Sequence, residues 1–302
     1  MIVCFDIGGS TIKGALVDNP QKISAVPRIP TPGSDFEAFV SALQSVIDRA
    51  KKPPQRVSIS IAGFQHPKTG LGVVANIPCL HGRPIAADLE KALGLPVTIA
   101  NDADCFAIAE AELGVGVGHR VVFGVILGTG VGGGLVIDGQ LINKNGGYAG
   151  EWGHGPVAAT TAGSPPATLP RFACGCGLEG CIDATCGARG LEKIHFHIHG
   201  IKASSEEILQ RWHDQEPEAC RTIDIYLDIL SAPLALIINT ISASVVPVGG
   251  GLSNEPKLLA AIDKAVRSRM LVDPETPLVV PAKNKVEPGL IGAAILGLRQ
   301  SP

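Results

Sequence analysis

The chain has 302 residues, and 25 Lys and Arg against 28 Asp and Glu leave a net charge of −3. That length holds one large or two medium domains with substantial cores, and the charge gives no electrostatic case for a nucleic-acid or membrane-surface partner. No apolar run reaches the ~18 residues of a membrane span, the apolar lead MIVCFDIGG lacks the charged start of a signal peptide, and the eight cysteines fit a reducing cytoplasm.

Residues 2–6 are a short apolar run ending in Asp6, followed by Gly8-Gly9-Ser10-Thr11 and a second run that begins near Lys13. This predicts strand, glycine turn, strand: a hairpin opening a sheet. The turn's N–H groups and the Ser10 and Thr11 hydroxyls can hold phosphate oxygens, with Asp6 facing a hydrated Mg2+. It is not a Walker loop, lacking G-x-x-x-x-G-K-[ST], and hairpin glycines alone are common. Residues 35–50 place Phe36, Phe39, Val40, Leu43, Val46 and Ile47 at helical spacing, a core-facing helix stopped by Pro53-Pro54. A strand over 57–61 leads to Gly63. Asn76, polar in an apolar context, forms a turn or contacts a ligand. A helix over 88–93 ends at Gly94.

Residues 96–100 predict a buried strand that stops at Asn101-Asp102, with a helix from 103 to about 113. A carboxylate at a strand's carboxyl end faces the ligand crevice in open α/β sheets, though Asp102 is equally placed as a plain N-cap. A second buried strand, 121–127, runs into Gly128-Thr129-Gly130-Val131-Gly132-Gly133-Gly134, then 135–137 and an Asp138-Gly139 turn. The strand, glycine-and-hydroxyl turn, strand pattern therefore occurs twice. Such repetition predicts duplicated domains gripping a polyphosphate.

Glu151 and His154 lie three residues apart, and Cys174, Cys176 and Cys181 follow. A C-x-C-x4-C cluster with one upstream His supplies the three thiolates and one nitrogen of a closed, tetrahedral zinc site. Gly175, Gly177 and Gly180 let the backbone turn tightly enough for the sulfurs to converge. A closed site has no open position for catalysis, so this zinc is architectural. With one His154 ring nitrogen on the metal, the other keeps a proton to donate. Three residues of helix would put Glu151 on the same face, a rigid polar pair for a hydroxyl-rich substrate. The Thr-, Ala- and Pro-rich stretch 155–173 is long for a structured connection and reads as functional or mobile. Cys4, Cys79, Cys105, Cys186 and Cys220 read as small apolar fillers. His195, His197 and His199, with no carboxylate or thiol beside them, read as surface histidines. Residues 205–212 and 218–239 are helical by periodicity, the second a central buried helix. A strand over 244–248 ends in Gly249-Gly250-Gly251, where a ring or ribose can approach the backbone. A last helix spans 287–298.

Taken together, these stretches resemble the ROK family of sugar kinases and repressors, nearly end to end. FDIGGSTIKGA resembles its first phosphate loop, ANDADCFAIAEA its catalytic segment and LGTGVGGGLVIDG its second loop. EWGH resembles its sugar-binding E-x-G-H, CGCGLEGCID its zinc segment, VPVGGGLSN its adenosine segment and GLIGAA its C-terminal helix. The resemblance implies an actin-like ATPase (ribonuclease H-like) fold of two α/β domains around a cleft. The expected boundaries are 1–117, completed by a C-terminal helix at 288–302, and a zinc-bearing domain at 118–287.

The family further implies ATP, Mg2+ and structural Zn2+ at His154, Cys174, Cys176 and Cys181. Asp102 would be the general base on a sugar 6-hydroxyl, with Asn101, Glu151, His154 and Asp183 on the other hydroxyls and Asn76 beside them. The nucleotide would be held by Asp6, Gly8, Gly9, Ser10, Thr11 and Lys13, by Gly128, Thr129, Gly130 and Gly132, and by Gly249 and Gly250. ANIPCLHGRPIAADL and NDADCFA resemble the N-acetylglucosamine kinase branch, which implies N-acetylglucosamine as substrate and a cytoplasmic homodimer. N-acetylmannosamine or glucose kinase is the alternative. A non-catalytic, sugar-sensing repressor is a different class; it would need a helix-turn-helix before Asp6, where only five residues stand. Three positions depart from the family pattern: Ser10 for Thr, Gly63-Phe64 for Gly-Pro, and Asp183 for Glu.

Overall fold

The computed structural model describes residues 1–300. The chain divides into two compact units, one taking residues 1–117, 134–149 and 284 onward, the other 118–133 and 150–283.

In the first unit, β1 (Ile2–Ile7) pairs antiparallel with β2 (Thr11–Asn19), the predicted opening hairpin. With β3 (Lys22–Ala25), β4 (Val57–Ile61) and β5 (Val97–Asn101) the sheet runs β3-β2-β1-β4-β5, and β1, β4 and β5 are parallel. Alternate side chains of β1 serve two cores, as a period of two requires. Val3, Phe5 and Ile7 pack with Phe39, Leu43 and Val46 of α1 (Phe36–Ile47) and with Leu89 of α2 (Ile85–Leu93). Ile2 and Cys4 pack with Cys105 of α3 (Asp102–Leu113) and with Leu290, Ala293 and Ala294 of the C-terminal helix Pro288–Arg299. Gly292 is what lets that helix meet α3, since a Cβ there would lie 2.1 Å from the Cys105 carbonyl oxygen. Helix α1 is capped by Asp35, whose side chain accepts from the Glu37 and Ala38 N–H groups, and it ends at Asp48, ahead of the prolines expected to stop it.

Residues 134–149 and 284–287, expected in the second domain, group with the first unit. Asn143 Nδ2 donates to Asp104 Oδ2 at 3.0 Å, and Gly134 lies so close to α3 that a Cβ would sit 2.6 Å from the Ala103 oxygen. Fully buried Glu110 ties the returning chain down, accepting from Val115 N at 3.0 Å and Asn284 N at 2.7 Å. Glu110→Ala leaves both donors unpaired, each worth about 1–3 kcal/mol. Urea unfolding should therefore show a loss of about 3 kcal/mol; a loss below about 1 kcal/mol would mean water replaces the carboxylate.

The second sheet runs β8-β7-β6-β9-β10, from β6 (Val121–Leu127), β7 (Val131–Ile137), β8 (Gln140–Leu141), β9 (Val246–Gly249) and β10 (Val279–Pro281). It repeats the third-second-first-fourth-fifth order of the first sheet. The strand after the glycine turn starts at Val131, so Gly132, Gly133 and Gly134 are strand residues rather than turn. The second unit's helices are α4 (Ile182–Cys186), α5 (Ala188–His199), α6 (Ser205–His213), α7 (Pro217–Ile241) and α8 (Pro256–Arg267). Among the described residues α7 alone is long and apolar enough to cross a membrane by length and composition, and its buried face, Ala219 to Ile238, marks it as the predicted core helix.

One open reading is narrowed here and one expectation changes. The 155–173 stretch is an ordered hairpin, Thr161–Ala162 against Ala167–Thr168, clamped to α7. Gly163 N donates to Asp228 and Ser164 N to Asp224, both at 2.8 Å, and Arg221 donates to the Pro165 carbonyl. The three histidines are not all at the surface. They lie on a helix, where residues four apart share a face and residues two apart do not. His195 is fully buried with Nδ1 2.8 Å from Thr222 Oγ1, its ring 5.0 Å from that of His199, while His197 faces outward.

Burial chiefly, then His199 and Arg211, push the His195 pKa down, with Glu218 opposing. The unfolded chain, titrating near ~6.5, therefore takes up this proton first as pH falls. The contribution is full above that value and lost as pH drops through it toward the folded pKa. The urea midpoint should fall between pH 7.5 and 5.5, and fall less in His195→Gln; equal falls would assign the effect elsewhere.

Candidate catalytic and metal sites

In the first unit the glycine turn closes through Gly8 N to Thr11 O at 3.0 Å, and Thr31 braces it from Oγ1 to Gly8 O at 2.8 Å. Gly9 lies against Asn76, where a Cβ would come within 2.9 Å of the Asn76 Cβ, so Asn76 sits beside the turn with its side chain exposed. Asp6 accepts from Ser60 Oγ at 3.0 Å and Lys13 Nζ at 3.1 Å. Lys13 Nζ also lies 2.7 Å from Glu287 Oε2, and Arg28 reaches Glu287 at 2.8 Å. Burial raises the Glu287 pKa, but Lys13 and Arg28 together outweigh it and hold the carboxyl below its ordinary value. No local pattern marks Glu287 as a partner of Lys13, because only the fold brings residues so far apart in sequence together.

Strand β5 ends at Asn101, and Asn101 rather than Asp102 is the N-cap of α3, accepting from Ala103 N at 2.8 Å and Asp104 N at 3.2 Å. Asp102 is the first residue of the helix, with Oδ1 2.9 Å from Ala103 N, a favourable position for a carboxylate at a helix start. Asn101 Nδ2 donates to Gly63 O at 3.1 Å, which leaves one of its two N–H groups for a ligand. Phe64, at the departure from Gly-Pro, packs on exposed Tyr148 with ring centroids 6.3 Å apart.

In the second unit Glu151 and His154 sit in a turn, not a helix. The turn still pairs them: His154 N donates to Glu151 O at 3.1 Å, and Nε2 lies 3.7 Å from Glu151 Oε2. Burial raises the Glu151 pKa, with His154 pulling it down and Asp183 adding to the rise.

One ligand atom from each of His154, Cys174, Cys176 and Cys181 falls within 4.8 Å of the others. Zn–S and Zn–N bonds of about 2.3 and 2.0–2.1 Å in a tetrahedron give S–S edges of about 3.8 Å and S–N edges of about 3.6 Å. Cys176 and Cys181 sulfurs are 3.7 Å apart, and Cys174 Sγ is 3.6 Å from His154 Nδ1. The donor set fits zinc in number, type and spacing, with Nδ1 as the ligand and Nε2 toward Glu151. The Leu178 backbone N–H chiefly draws the Cys176 thiol down to about 7, while burial pushes Cys174 up to about 12 and Cys181 upward, so a metal would itself have to displace those protons.

Asp183 lies between this cluster and the second glycine turn. Its Oδ1 accepts from Val131 N at 2.8 Å, and its Oδ2 is 3.5 Å from Cys174 Sγ. The turn closes through Gly128 N to Gly130 O at 3.0 Å, and α5 starts on it, Ala188 N donating to Gly128 O at 2.8 Å. Gly250, with φ 91°, packs on the end of β6, where a Cβ would lie 2.4 Å from Leu127 O.

An open groove of about 650 Å³ follows the outer side of α5, lined by Arg189, Glu192, Lys193, Phe196, Ser204 and Glu207. Sequence reasoning missed this feature. The signal was the 189, 192, 193, 196 stripe at helical spacing, masked by the alternating histidines that follow it.

Residues 2–300 match the family model described as ROK. The N-acetylgalactosamine kinase AgaK of Shewanella sp. (strain ANA-3) is 37% identical over 97% of this chain and 95% of its own length. The N-acetyl-D-glucosamine kinase of Photobacterium profundum is 35% identical over 98% and 99%. Among solved structures, a ROK hexokinase from Thermus thermophilus superposes with a TM-score of 0.83 at 29% identity, covering 99% of each chain. A ROK family glucokinase from Streptomyces griseus, in complex with glucose and AMPPNP, gives 0.73 at 27% identity over 98% of each.

Proposed function

The chain belongs to the ROK family and is a sugar kinase of the actin-like ATPase fold, and we propose that it moves the γ-phosphate of ATP to the 6-hydroxyl of an N-acetylhexosamine, N-acetylglucosamine first. The observation that carries this reading is Asp102 at the start of α3, beside an Asn101 whose side chain is locked by the helix cap and by Gly63. Asp102 takes the proton from the 6-hydroxyl as it attacks phosphorus. Asn101 offers its remaining N–H to a neighbouring hydroxyl, Asn76 offers its amide from beside the first glycine turn, and Glu151 and His154 supply a carboxylate and an Nε2–H to others. Rate comes chiefly from positioning and charge neutralisation.

The nucleotide's phosphates rest on the N–H groups and hydroxyls of Gly8 to Thr11 and of Gly128 to Gly132. Asp6 and Lys13 face Mg2+ and phosphate, and Gly249 and Gly250 give the nucleoside close backbone approach. Because α5 begins on the second turn, a nucleotide anchored there lays its nucleoside along the groove. Phe196 offers an apolar face, Glu192 and Glu207 accept from ribose hydroxyls, and Arg189 and Lys193 face the phosphates. Zinc held by His154 Nδ1 and the three thiolates orients the imidazole and supplies no open position. The enzyme is read as a cytoplasmic homodimer whose two compact units are the family's two domains. A sedimentation mass near twice 31.2 kDa supports the dimer, and one near 31.2 kDa overturns it.

A second reading, N-acetylgalactosamine as substrate, is favoured by the 37% identity to AgaK. ADP release should be measured with Mg-ATP and N-acetylglucosamine, N-acetylgalactosamine, N-acetylmannosamine, glucose or no sugar. The first reading predicts the highest kcat/KM for N-acetylglucosamine. A higher value for the 4-epimer installs the second, and turnover with none of them rejects both.

A further inference from the structure

Glu287 opens the C-terminal helix without capping it. It occupies the N-cap position, its side chain makes no cap hydrogen bond, and its backbone is left-handed with φ 49°. A residue other than glycine held there costs about 1–3 kcal/mol and persists only where its surroundings fix it. Two cations fix this one. Arg28 Nη2 donates to Oε1 at 2.8 Å and Lys13 Nζ lies 2.7 Å from Oε2, so both oxygens of the carboxylate are engaged.

Lys13 also faces a second carboxylate. The register of the opening hairpin sets it directly across from Asp6, and its Nζ donates to Asp6 Oδ2 at 3.1 Å. The other Asp6 oxygen, Oδ1, accepts from Ser60 Oγ at 3.0 Å and is walled by Gly289, where a Cβ would lie 2.5 Å away. Oδ2 is therefore the oxygen left to face a hydrated Mg2+, and Lys13 stands on it. A hard carboxylate oxygen on a side chain that keeps 18% exposure suits an ion that retains its waters. The ammonium and the metal thus compete for one oxygen, and Glu287 offers the ammonium another anion.

Building on the kinase reading, we propose that Glu287 is a positioning residue that keeps Lys13 from pairing with Asp6 alone, so that Asp6 retains an oxygen for hydrated Mg2+ and Lys13 an N–H for phosphate. An ammonium has three N–H groups, so one remains when two carboxylates are engaged. The charges of Asp6 and Glu287 balance those of Lys13 and Arg28. Without the Glu287 carboxylate the group carries one net positive charge, which favours a bare polyphosphate and opposes a divalent ion. These effects have opposite sign, so the ratio of nucleotide affinities with and without Mg2+ reports the role of Glu287.

AMPPNP affinity is measured with Mg2+ and in Mg2+-free buffer without chelator. The proteins are zinc-replete wild type, Glu287→Gln, Glu287→Asp, Lys13→Met and the Lys13→Met, Glu287→Gln double variant. Glu287→Gln should cut the Mg2+ enhancement about tenfold, through weaker Mg-AMPPNP and unchanged or tighter AMPPNP alone. Glu287→Asp keeps a carboxylate for Lys13 and restores part of the enhancement. Because Glu287 acts through Lys13, the double variant should show the same enhancement as Lys13→Met. Equal weakening of both nucleotide forms in Glu287→Gln would make the residue merely structural, and an undiminished effect without Lys13 would place it directly beside the metal. Either result overturns the proposal. A wild type that binds AMPPNP in neither condition overturns the nucleotide reading itself, and this proposal with it.

Discussion

Asp102→Asn is expected to lower kcat by at least about a hundredfold while sugar and nucleotide affinities stay within a few-fold. The amide keeps the size of the carboxylate and can still bond Ala103 N, as Asp102 Oδ1 does at 2.9 Å. The helix cap belongs to Asn101, so Asp102→Asn leaves the cap in place and removes only the favourable charge at the helix start. What disappears is the group able to accept the 6-hydroxyl proton as the bond to phosphorus forms. A general base contributes roughly a hundredfold to ten-thousandfold, about 3–5 kcal/mol of barrier. Near-normal kcat in Asp102→Asn would remove Asp102 from that role. A large rise in sugar KM with kcat retained would make it a binding group only.

Removing the metal carries the second large effect. Chelation should release close to one zinc per chain and weaken sugar binding about tenfold to a hundredfold, the scale seen when the partners around a metal ligand are disturbed. The cause lies in His154. Its Nδ1 points at the thiol cluster and its Nε2 at Glu151, so without the ion the ring keeps only weak contacts, to Cys174 Sγ at 3.6 Å and to Glu151 Oε2 at 3.7 Å. Binding energy for a structural zinc is also folding energy, so the melting temperature should drop with the metal. Cys176→Ser should reproduce both losses, since its sulfur is 3.7 Å from Cys181 and supplies one edge of the tetrahedron. Purified protein without zinc, or zinc-free protein with full sugar affinity and unchanged melting, would end the assignment.

Local chemistry explains what could be read in advance. The opening hairpin, the strands at 57–61 and 121–127 and the helices from 36 and 205 follow from apolar period and turn residues, which act within a few positions. The Cys3His ligands were legible because donor type and spacing are themselves the chemistry, although the Glu151–His154 pair is made by a turn and not the helix expected. Where the sequence left Asp102 open as an N-cap, a single hydrogen-bond pattern removed that option. Asn101 caps α3, which frees Asp102 from that duty.

By itself, then, the sequence determined the repeated strand-turn-strand units and the candidate donor set of the metal cluster, because each rests on residues close together in the chain, while the actin-like fold class followed from the resemblance of its motifs to the ROK family. Tertiary structure alone decided the rest. It buried His195 against Thr222, paired Lys13 with Glu287, folded 155–173 into a hairpin on α7 and assigned 134–149 to the first unit. It also turned Asp183 toward the second glycine turn and opened the groove along α5. Each of these depends on which distant backbone atom or side chain lies within about 3 Å of a polar group, and no local period or propensity encodes that distance.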